Sequence, residues 1–366
     1  MGQKVQGRAT HQRSETITYQ GLAKMVGIGI VGIGFMGMIH YLAARKLKGA
    51  RVTAICSRDP QKRAGDWRGI RGNFGPAGTR MDLSKLKKYA ELDELLADPD
   101  IDLVDVCNPT QQHPETAIAA LRAGKHVLVE KAIALHAIDA DAMLKAASHA
   151  GKLLMVAHVL PFFPEFACAA EAVRSGKYGR LLGAHFTRVI SRPDWSSDIG
   201  DPAKTGGPAV DLHIHDTHFI GLICGVPEKV FSSGVQENGA VQYLTTQYLY
   251  GPGGPAVSCS SGAVAQQGRE FVHGYEIYLE RATLVYESGA KPLTVLTADG
   301  KVKQPKLKGG NEATAAFTTE IQTAVNGITQ GREPDLLSGQ LARDALVLCL
   351  KECQSVRAGK AVAIGS

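Results

Sequence analysis

The sequence has no long apolar run, few aromatic residues and no large excess of either charge. Its apolar stretches are all shorter than the roughly 18 consecutive residues that a membrane-spanning helix needs, and its start lacks an apolar signal segment. Basic residues outnumber acidic ones by 41 to 35, and residues 1–24 account for half of that difference, so the rest of the chain has no basic patch for nucleic acid. We therefore expect a cytoplasmic protein without a membrane or nucleic-acid partner.

Cysteine is also sparse, and the sequence shows no internal repeat or low-complexity tract. The seven cysteines are odd in number and scattered along the chain, which argues against a disulfide framework and favours free thiols in a reducing compartment. A length of 366 residues with 44% hydrophobic residues suffices for two cores or for one α/β barrel. The length favours two domains.

The spacing of the apolar residues divides the chain into three parts. Residues 1–24 are polar and aperiodic and are expected to be a disordered extension. Residues 25–150 alternate short β-branched runs with helical stretches, which predicts an α/β domain with a doubly wound parallel sheet of the Rossmann type. Residues 151–366 contain Val-, Thr- and Tyr-rich runs between turns, which predicts a second α/β domain with an open, mostly antiparallel sheet and a helix near Val210–Leu222.

A glycine-rich turn follows the first predicted strand. Gly32, Gly34 and Gly37 form a GxGxxG pattern that opens the first helix, with Phe35 and Met36 between the last two glycines. The first glycine permits a tight turn, the second lets a pyrophosphate approach the backbone, and the third allows close helix–strand packing. In this strand–turn–helix setting the pattern predicts a dinucleotide site.

The residues after the second predicted strand bear on which dinucleotide is bound. An acidic residue at this position would bind the ribose 2′-hydroxyl of NAD and repel the 2′-phosphate of NADP. The sequence has Ser57 and Arg58 instead, a small hydroxyl and a guanidinium that suit a phosphate. We therefore expect NADP rather than NAD as the cofactor, with NAD left as the alternative because Asp59 is close by.

The motifs that follow resemble those of a known family. Residues 105–132 read DVCNPTQQHPETAIAALRAGKHVLVEKA, and residues 206–216 read GGPAVDLHIHD. With the glycine turn, they resemble the Gfo/Idh/MocA group of NAD(P)-dependent oxidoreductases, named for glucose-fructose oxidoreductase and inositol dehydrogenase. The resemblance covers nearly all of residues 25–365 and implies a Rossmann domain followed by a substrate-binding domain whose sheet forms homodimers or homotetramers. It also implies hydride transfer between nicotinamide and a secondary hydroxyl or ketone of a sugar, cyclitol or related polyol.

The resemblance extends the set of expected cofactor contacts beyond the glycine turn and the end of the second strand. The added residues are Asn108, Pro109, Thr110, His113, Glu130 and Lys131. The family's Glu-Lys-Pro motif falls on Glu130-Lys131-Ala132, which implies that Lys131 contacts both the substrate hydroxyl and the nicotinamide ribose. Alanine replaces the proline here and does not fix the local backbone in the same way.

The catalytic residues expected are Lys131, Asp211 and His215. Asp211 and His215 are four residues apart, so on a helix they share one face and can serve the same hydroxyl. Oxidation of a secondary alcohol needs a proton acceptor, and His215 or Lys131 can take that role, while the Lys131 cation favours the developing alkoxide. Asp211 would orient the substrate hydroxyl or His215. His213 points elsewhere on the helix and is expected to be structural.

The substrate-binding residues expected lie in the segments between the two domains. His158 stands where many relatives carry an asparagine-x-arginine-phenylalanine motif, so the sequence departs from the common pattern there. Arg192 and Trp195 precede the glycine pair and offer a charge and a stacking face for a polyol ring, and His218 returns to the face of Asp211 and His215.

Three other interpretations stay open on the sequence. An enzyme of the same fold can use tightly bound NAD for transient oxidation and act as a glycosidase. A second possibility is a regulatory protein that binds the dinucleotide without net chemistry. The run from Asp211 to His218 is also a permutation of the ligand pattern of zinc hydrolases, although ligand order matters and no metal is expected.

Overall fold

The computed structural model describes residues 25–192, 201–310 and 314–365. Its first sheet has six strands. They are β1 (Val26–Val31), β2 (Ala50–Cys56), β3 (Lys87–Tyr89), β4 (Leu103–Val106), β5 (His126–Glu130) and β6 (Leu154–Ala157). The strand order is β3-β2-β1-β4-β5-β6, and every neighbouring pair is parallel. This is the order of a doubly wound dinucleotide-binding sheet, so the predicted Rossmann domain is confirmed.

Helices cover both faces of this sheet, which is why the residues of β1 and β4 to β6 are almost all buried and mostly apolar. The helices of this half are α1 (Phe35–Ala44), α2 (Pro60–Arg63), α3 (Leu92–Leu96), α4 (His113–Arg122) and α5 (Ala137–Ala150). The strand order reverses between β1 and β4, so a crevice opens at the carboxyl ends of these two strands. The sheet takes its last strand from residues 154–157, beyond the boundary that the sequence predicts at residue 150, because β6 pairs with β5.

The second half of the chain forms a sheet of nine strands. They are β7 (Leu181–Ser191), β8 (Lys229–Glu237), β9 (Ala240–Leu249), β10 (Ala256–Ala265), β11 (Val272–Leu279), β12 (Ala282–Glu287), β13 (Lys291–Thr297), β14 (Val302–Lys303) and β15 (Val362–Ala363). The order is β14-β13-β12-β11-β7-β10-β9-β8-β15, and β7 with β10 is the only parallel pair among them. The expectation of an open, mostly antiparallel sheet is confirmed.

The helices of the second half are α6 (Pro164–Arg174), α7 (Pro202–Thr205), α8 (Pro208–Asp211), α9 (Ile214–Cys224), α10 (Ala315–Gln330) and α11 (Gly339–Ala358). The single helix predicted near Val210–Leu222 is wrong in one respect, because the chain breaks between α8 and α9. At the break the Pro208 carbonyl accepts hydrogen bonds from the backbone N–H groups of both Leu212 and His213, so the helical ladder does not run through.

The last two helices fold back onto the Rossmann half. Phe317 and Ile321 of α10 are buried in one cluster with Ile28 of β1, and Leu346 of α11 is buried with Val127 of β5. Leu348 of α11 is buried in the separate cluster of the second sheet, so α11 connects the two halves. The crevice at the strand ends has residues of both halves as its walls. Among the described residues, no helix is long and apolar enough to span a membrane.

Candidate active site

Five of the residues predicted to form the site lie at the carboxyl ends of parallel strands. Gly32, Ser57, Lys131 and His158 directly follow β1, β2, β5 and β6, and Asn108 lies two residues after β4. Strands that run in the same direction end at the same edge of the sheet, so residues far apart in the sequence meet there. Ligands of doubly wound folds bind at this edge.

The glycine turn has the shape of an anion cradle. At Gly32, where φ is +93°, an added Cβ would lie 2.6 Å from the Asn108 nitrogen, and at Gly37 it would lie 2.1 Å from the Gly32 oxygen. At Gly34 nothing lies within 4 Å of an added Cβ, and no side chain caps α1 at this residue. The start of α1 therefore has no side-chain cap and borders open space at Gly34, which fits a bound pyrophosphate.

The end of β2 holds the residues expected to bind the adenosine ribose. Ser57 is half-buried and its hydroxyl accepts a hydrogen bond from the Asp59 N–H at 3.3 Å, whereas Arg58 is exposed. The Asp59 carboxylate caps α2, because Oδ1 accepts hydrogen bonds from Gln61 N at 2.8 Å and Lys62 N at 3.3 Å. One oxygen of this carboxylate is thus already engaged in the fold.

The loop after β4 is tied to the loop after β5. His113 is buried, with Nδ1 2.8 Å from the Ala132 carbonyl and Nε2 3.0 Å from the Asn108 carbonyl. Burial lowers the pKa of His113. Pro109 is exposed and Thr110 half-buried beside it. His113 therefore links both loops, and the peptide bond just before the carbonyl that it contacts, between Lys131 and Ala132, is cis.

Glu130 turns into the protein rather than toward the crevice. Its Oε1 lies 3.0 Å from His40 Nε2, and its Oε2 accepts a hydrogen bond from Lys131 N at 3.0 Å. His40 Nδ1 is 2.9 Å from Asp105 Oδ2. Burial alone would lower the pKa of His40, but Asp105 and Cys107 raise it well above its ordinary value. A chain of polar contacts thus runs from β4 through α1 to the backbone of Lys131. His40 and Asp105 are not among the residues that the sequence predicts for the site; the available signal was a histidine and an aspartate at otherwise apolar core positions.

Lys131 and Asp211 meet across the crevice, although 80 residues separate them. Lys131 Nζ donates to Asp211 Oδ1 at 2.7 Å and to the Asp211 carbonyl at 2.7 Å. Asp211 is the last residue of α8, so the break in the helix places its carbonyl as well as its carboxylate toward the lysine. The two side chains are 19% and 22% exposed, which leaves them open to a ligand in the crevice.

Three histidines gather next to this ion pair. The rings of His158 and His218 stack with centroids 3.9 Å apart, and the ring of His215 meets that of His158 edge-on at 6.4 Å. Both ring nitrogens of His158 and His218, and Nδ1 of His215, are buried and have no hydrogen-bond partner among the described residues. Burial lowers all three pKa values, that of His218 to about 3, and Lys131 lowers those of His158 and His215 further. Of the three imidazoles, only that of His215 is partly exposed beside the ion pair, and those of His158 and His218 are fully buried behind it.

His213 lies apart from that group. It is fully buried, with Nε2 2.6 Å from Glu352 Oε2 of α11. Asp216 accepts two hydrogen bonds from Arg188 of β7, at 2.9 and 3.0 Å. The ligand atoms of His213, Asp216 and Cys259 lie within 4.8 Å of one another. The histidines between Asp211 and His218, which suggest a zinc hydrolase, therefore do not gather around one point. His213 and Asp216 face the core, whereas His215 and His218 face His158.

The remaining predicted substrate residues are not all brought to the crevice. Arg192 is exposed and forms an ion pair with Glu237 at the end of β8. Trp195 lies outside the described residues. Sequence reasoning missed His273 of β11, which is close enough to His215 to disfavour its protonation, and whose own pKa burial lowers to about 3. Nothing in the sequence marks His273, because its proximity to His215 depends on the sheet register.

Comparison with known proteins assigns the family. Residues 26–158 match the oxidoreductase family with an NAD-binding Rossmann fold, and residues 166–285 match the Gfo/Idh/MocA C-terminal domain. The chain belongs to the Gfo/Idh/MocA oxidoreductase family. The resemblance noted in the sequence is confirmed, and so is the prediction of an oxidoreductase acting on hydroxyl groups, since its relatives are named dehydrogenases and reductases.

Individual Gfo/Idh/MocA proteins show how broad the similarity is. The chain is 26% identical to myo-inositol 2-dehydrogenase of Thermotoga maritima over 338 residues, which cover 88% of this chain and 93% of that protein. It is 29% identical to 1,5-anhydro-D-fructose reductase of Ensifer adhaerens over 258 residues, which cover 64% and 74% of the two chains. Levoglucosan dehydrogenase, solved with NADH and levoglucosan, superposes with a TM-score of 0.77 at 20% identity over 93% of this chain and 100% of that chain.

Proposed function

We propose that this protein is an NAD(P)-dependent dehydrogenase or reductase that transfers hydride between nicotinamide and a secondary hydroxyl or ketone of a sugar, cyclitol or related polyol. The observation that carries the proposal is the proximity of Asp211 and His215 to Lys131, which lies at the same edge of the sheet as the glycine turn. The relatives named for inositol and anhydrofructose act on compounds of this class, which supports the same choice.

When bound, the nicotinamide supplies the hydride acceptor or donor. Lys131 places a cation beside the reacting oxygen, where it stabilises the developing alkoxide in oxidation and polarises the carbonyl in reduction. Asp211 fixes the ammonium through the 2.7 Å contact. His215 is neutral with an unpartnered Nδ1, so it can accept a proton. Lys131 and His215 remain the two candidates for the proton acceptor.

The histidine group supports a substrate with several neighbouring hydroxyls. A neutral imidazole offers one N–H donor and one acceptor nitrogen, and a hydroxyl can satisfy either. Leaving a buried polar atom unpaired costs about 1–3 kcal/mol, so the unpaired nitrogens of His158 and His218 favour a ligand that pairs with them. We include both residues, with His215, in the proposed substrate site.

NADP is the proposed cofactor, with NAD as the alternative. Asp59 already accepts two backbone hydrogen bonds as the cap of α2, which leaves it less available for a ribose hydroxyl. The exposed guanidinium of Arg58 and the hydroxyl of Ser57 suit a 2′-phosphate.

The second sheet supports the proposal of a homodimer or homotetramer. By strand register, Phe231, Leu249, Tyr278 and Leu296 lie on one face of this sheet, and each is about two-fifths exposed. Exposed apolar area of this kind marks interaction surfaces. The molar mass of the protein, measured by light scattering after size-exclusion chromatography, would test the proposal. A monomeric mass at all protein concentrations would contradict it.

The enzymatic proposal is tested with a panel of sugars and inositols, each with NAD and with NADP, by following the absorbance of reduced nicotinamide. Lys131→Ala and His215→Ala should lower turnover by about 100-fold or more while leaving nucleotide affinity nearly unchanged. Lys145→Ala, an exposed lysine of α5, is the matched control. Near-normal rates in both site variants would show that the catalytic assignment is wrong. Release of reducing sugar without net cofactor reduction would instead indicate the glycosidase.

A further inference from the structure

Residues 66–80, between α2 and β3, form a closed loop that we call the arginine loop. Its ends are joined by an isolated antiparallel β-bridge between the backbones of Asp66 and Arg80 and by a hydrogen bond from Trp67 N to the Thr79 carbonyl at 3.2 Å. A further hydrogen bond runs from Gly78 N to the Ile70 carbonyl at 3.0 Å. Trp67 is fully buried and donates from Nε1 to the Lys62 carbonyl at 2.9 Å. A compact loop anchored in this way is more often functional than a passive connection.

The arginine loop packs against the glycine turn. Phe74 meets Phe35 edge-on with centroids 4.8 Å apart, and its other contact is a stacked arrangement with Phe317 of α10 at 5.5 Å. At Gly72 an added Cβ would lie 2.2 Å from the Phe35 ring, so the backbone of the loop touches that ring directly. The loop is therefore fixed relative to the residues at the start of α1.

Next to these aromatic contacts, a cavity of about 610 Å³ lies between the glycine turn and the arginine loop. The glycine turn contributes Gly34 to its wall, α2 and its cap contribute Asp59 and Lys62, and the arginine loop contributes Arg68 and Arg71. The cavity thus runs from the open side of the glycine turn to the end of β2, along the path that the phosphates and the adenosine ribose would take in the proposed function.

The two arginines in this wall differ in their partners. Arg68 forms a bidentate ion pair with Asp66, at 2.9 and 2.7 Å, so its charge is neutralised within the loop. Arg71 is exposed and, in the part of the chain that the structure describes, forms no hydrogen bond or ion pair. It leaves one uncompensated guanidinium in the wall of the cavity that also contains Gly34.

We propose that Arg71 binds a phosphate of the dinucleotide and that the arginine loop is the outer wall of the cofactor cleft. The inference rests on the proposed function, since it assumes that a dinucleotide occupies the cleft. A guanidinium can donate two parallel hydrogen bonds to phosphate oxygens, and its planar fork suits that geometry better than an ammonium does. The phosphate is either the pyrophosphate, present in both cofactors, or the 2′-phosphate of NADP.

The test is a titration of the full chain and of Arg71→Ala with NADH and with NADPH, followed by the fluorescence of the reduced nicotinamide. Arg71→Ala should raise the Kd about tenfold, and Arg71→Lys should lie between that variant and the unmodified chain. Arg122→Ala, an exposed arginine on α4, is the matched control and should bind as the unmodified chain does. Because Arg71 is exposed, its removal should leave the thermal midpoint unchanged, which excludes misfolding as the cause.

The pattern of losses identifies the phosphate. Weaker binding of both nucleotides assigns Arg71 to the pyrophosphate, and weaker binding of NADPH alone assigns it to the 2′-phosphate; either result supports the inference. If the unmodified chain binds the nucleotides and Arg71→Ala binds both as tightly as Arg122→Ala does, the inference is overturned while the proposed function stands. If the unmodified chain binds neither nucleotide, the proposed function fails and the inference fails with it.

Discussion

Replacing His218 with phenylalanine should remove a defined part of the acid sensitivity of this protein. His218 is fully buried, stacks on His158, and has no hydrogen-bond partner for either ring nitrogen among the described residues. Burial lowers its pKa from 6.5 to about 3. Below pH 6.5 the unfolded chain therefore binds a proton that the folded chain does not, so stability is lost as the pH falls through that value.

The size of the effect follows from the titration of one group. Each pH unit between the two pKa values changes the free energy of unfolding by about 1.4 kcal/mol, so acidification from about pH 7 to about pH 5 should cost the unmodified chain about 2 kcal/mol through His218. This figure does not depend on the exact folded value, because pH 5 lies well above 3. Phenylalanine keeps a ring stacked on His158 and leaves no unpaired nitrogen, so at neutral pH the variant should be as stable or more stable.

The measurement is urea unfolding of both proteins at several pH values in this range. The unmodified chain should lose about 2 kcal/mol more on acidification than His218→Phe does, since the other buried histidines contribute equally to both. His149→Gln, which changes an exposed histidine of α5, is the control and should follow the unmodified chain. Parallel pH dependences for His218→Phe and the unmodified chain would refute the reasoning, because they would mean that His218 titrates normally in the folded state.

Three further predictions concern buried carboxyl groups and the cofactor. Glu352→Gln removes the negative charge 2.6 Å from His213 and should lower the free energy of unfolding by about 2 kcal/mol near pH 6. This loss of stability should shrink as the pH rises through the raised pKa of His213. Equal stability of the variant and the unmodified chain at all pH values would contradict the prediction. Burial raises the pKa of Glu320 well above its ordinary 4.5. The unmodified chain should therefore lose up to about 1.4 kcal/mol per pH unit above that value relative to Glu320→Gln in urea unfolding, and a constant difference would count against the effect. Ser57→Asp should raise the Kd of NADPH about tenfold more than that of NADH in nucleotide titrations, through charge repulsion, and equal effects would remove the case for NADP.

Several features of this protein were determined by short stretches of sequence. The GxGxxG turn is local, because Gly32 needs its own backbone conformation and Gly37 touches the turn only five residues away. The alternation of apolar runs and helical stretches over residues 25–150 predicted the Rossmann sheet that the structure shows. Each of these elements depends on side-chain periodicity and on dihedral preferences, which act within a few residues.

The tertiary structure decided what the sequence left open. Lys131 and Asp211 pair across 80 residues, the break after Asp211 redirects a carbonyl to that lysine, and Glu130 turns to His40 instead of the crevice. The arginine loop likewise acquires its place beside Gly34 only through the packing of its aromatic residues. A local sequence pattern indicates which residues are apolar and which side chains can donate protons, accept them or bind ligands. The direction of a polar side chain, however, depends on the partners that packing brings to it. Which charges pair, and which are left free for a ligand, is therefore a property of the folded chain.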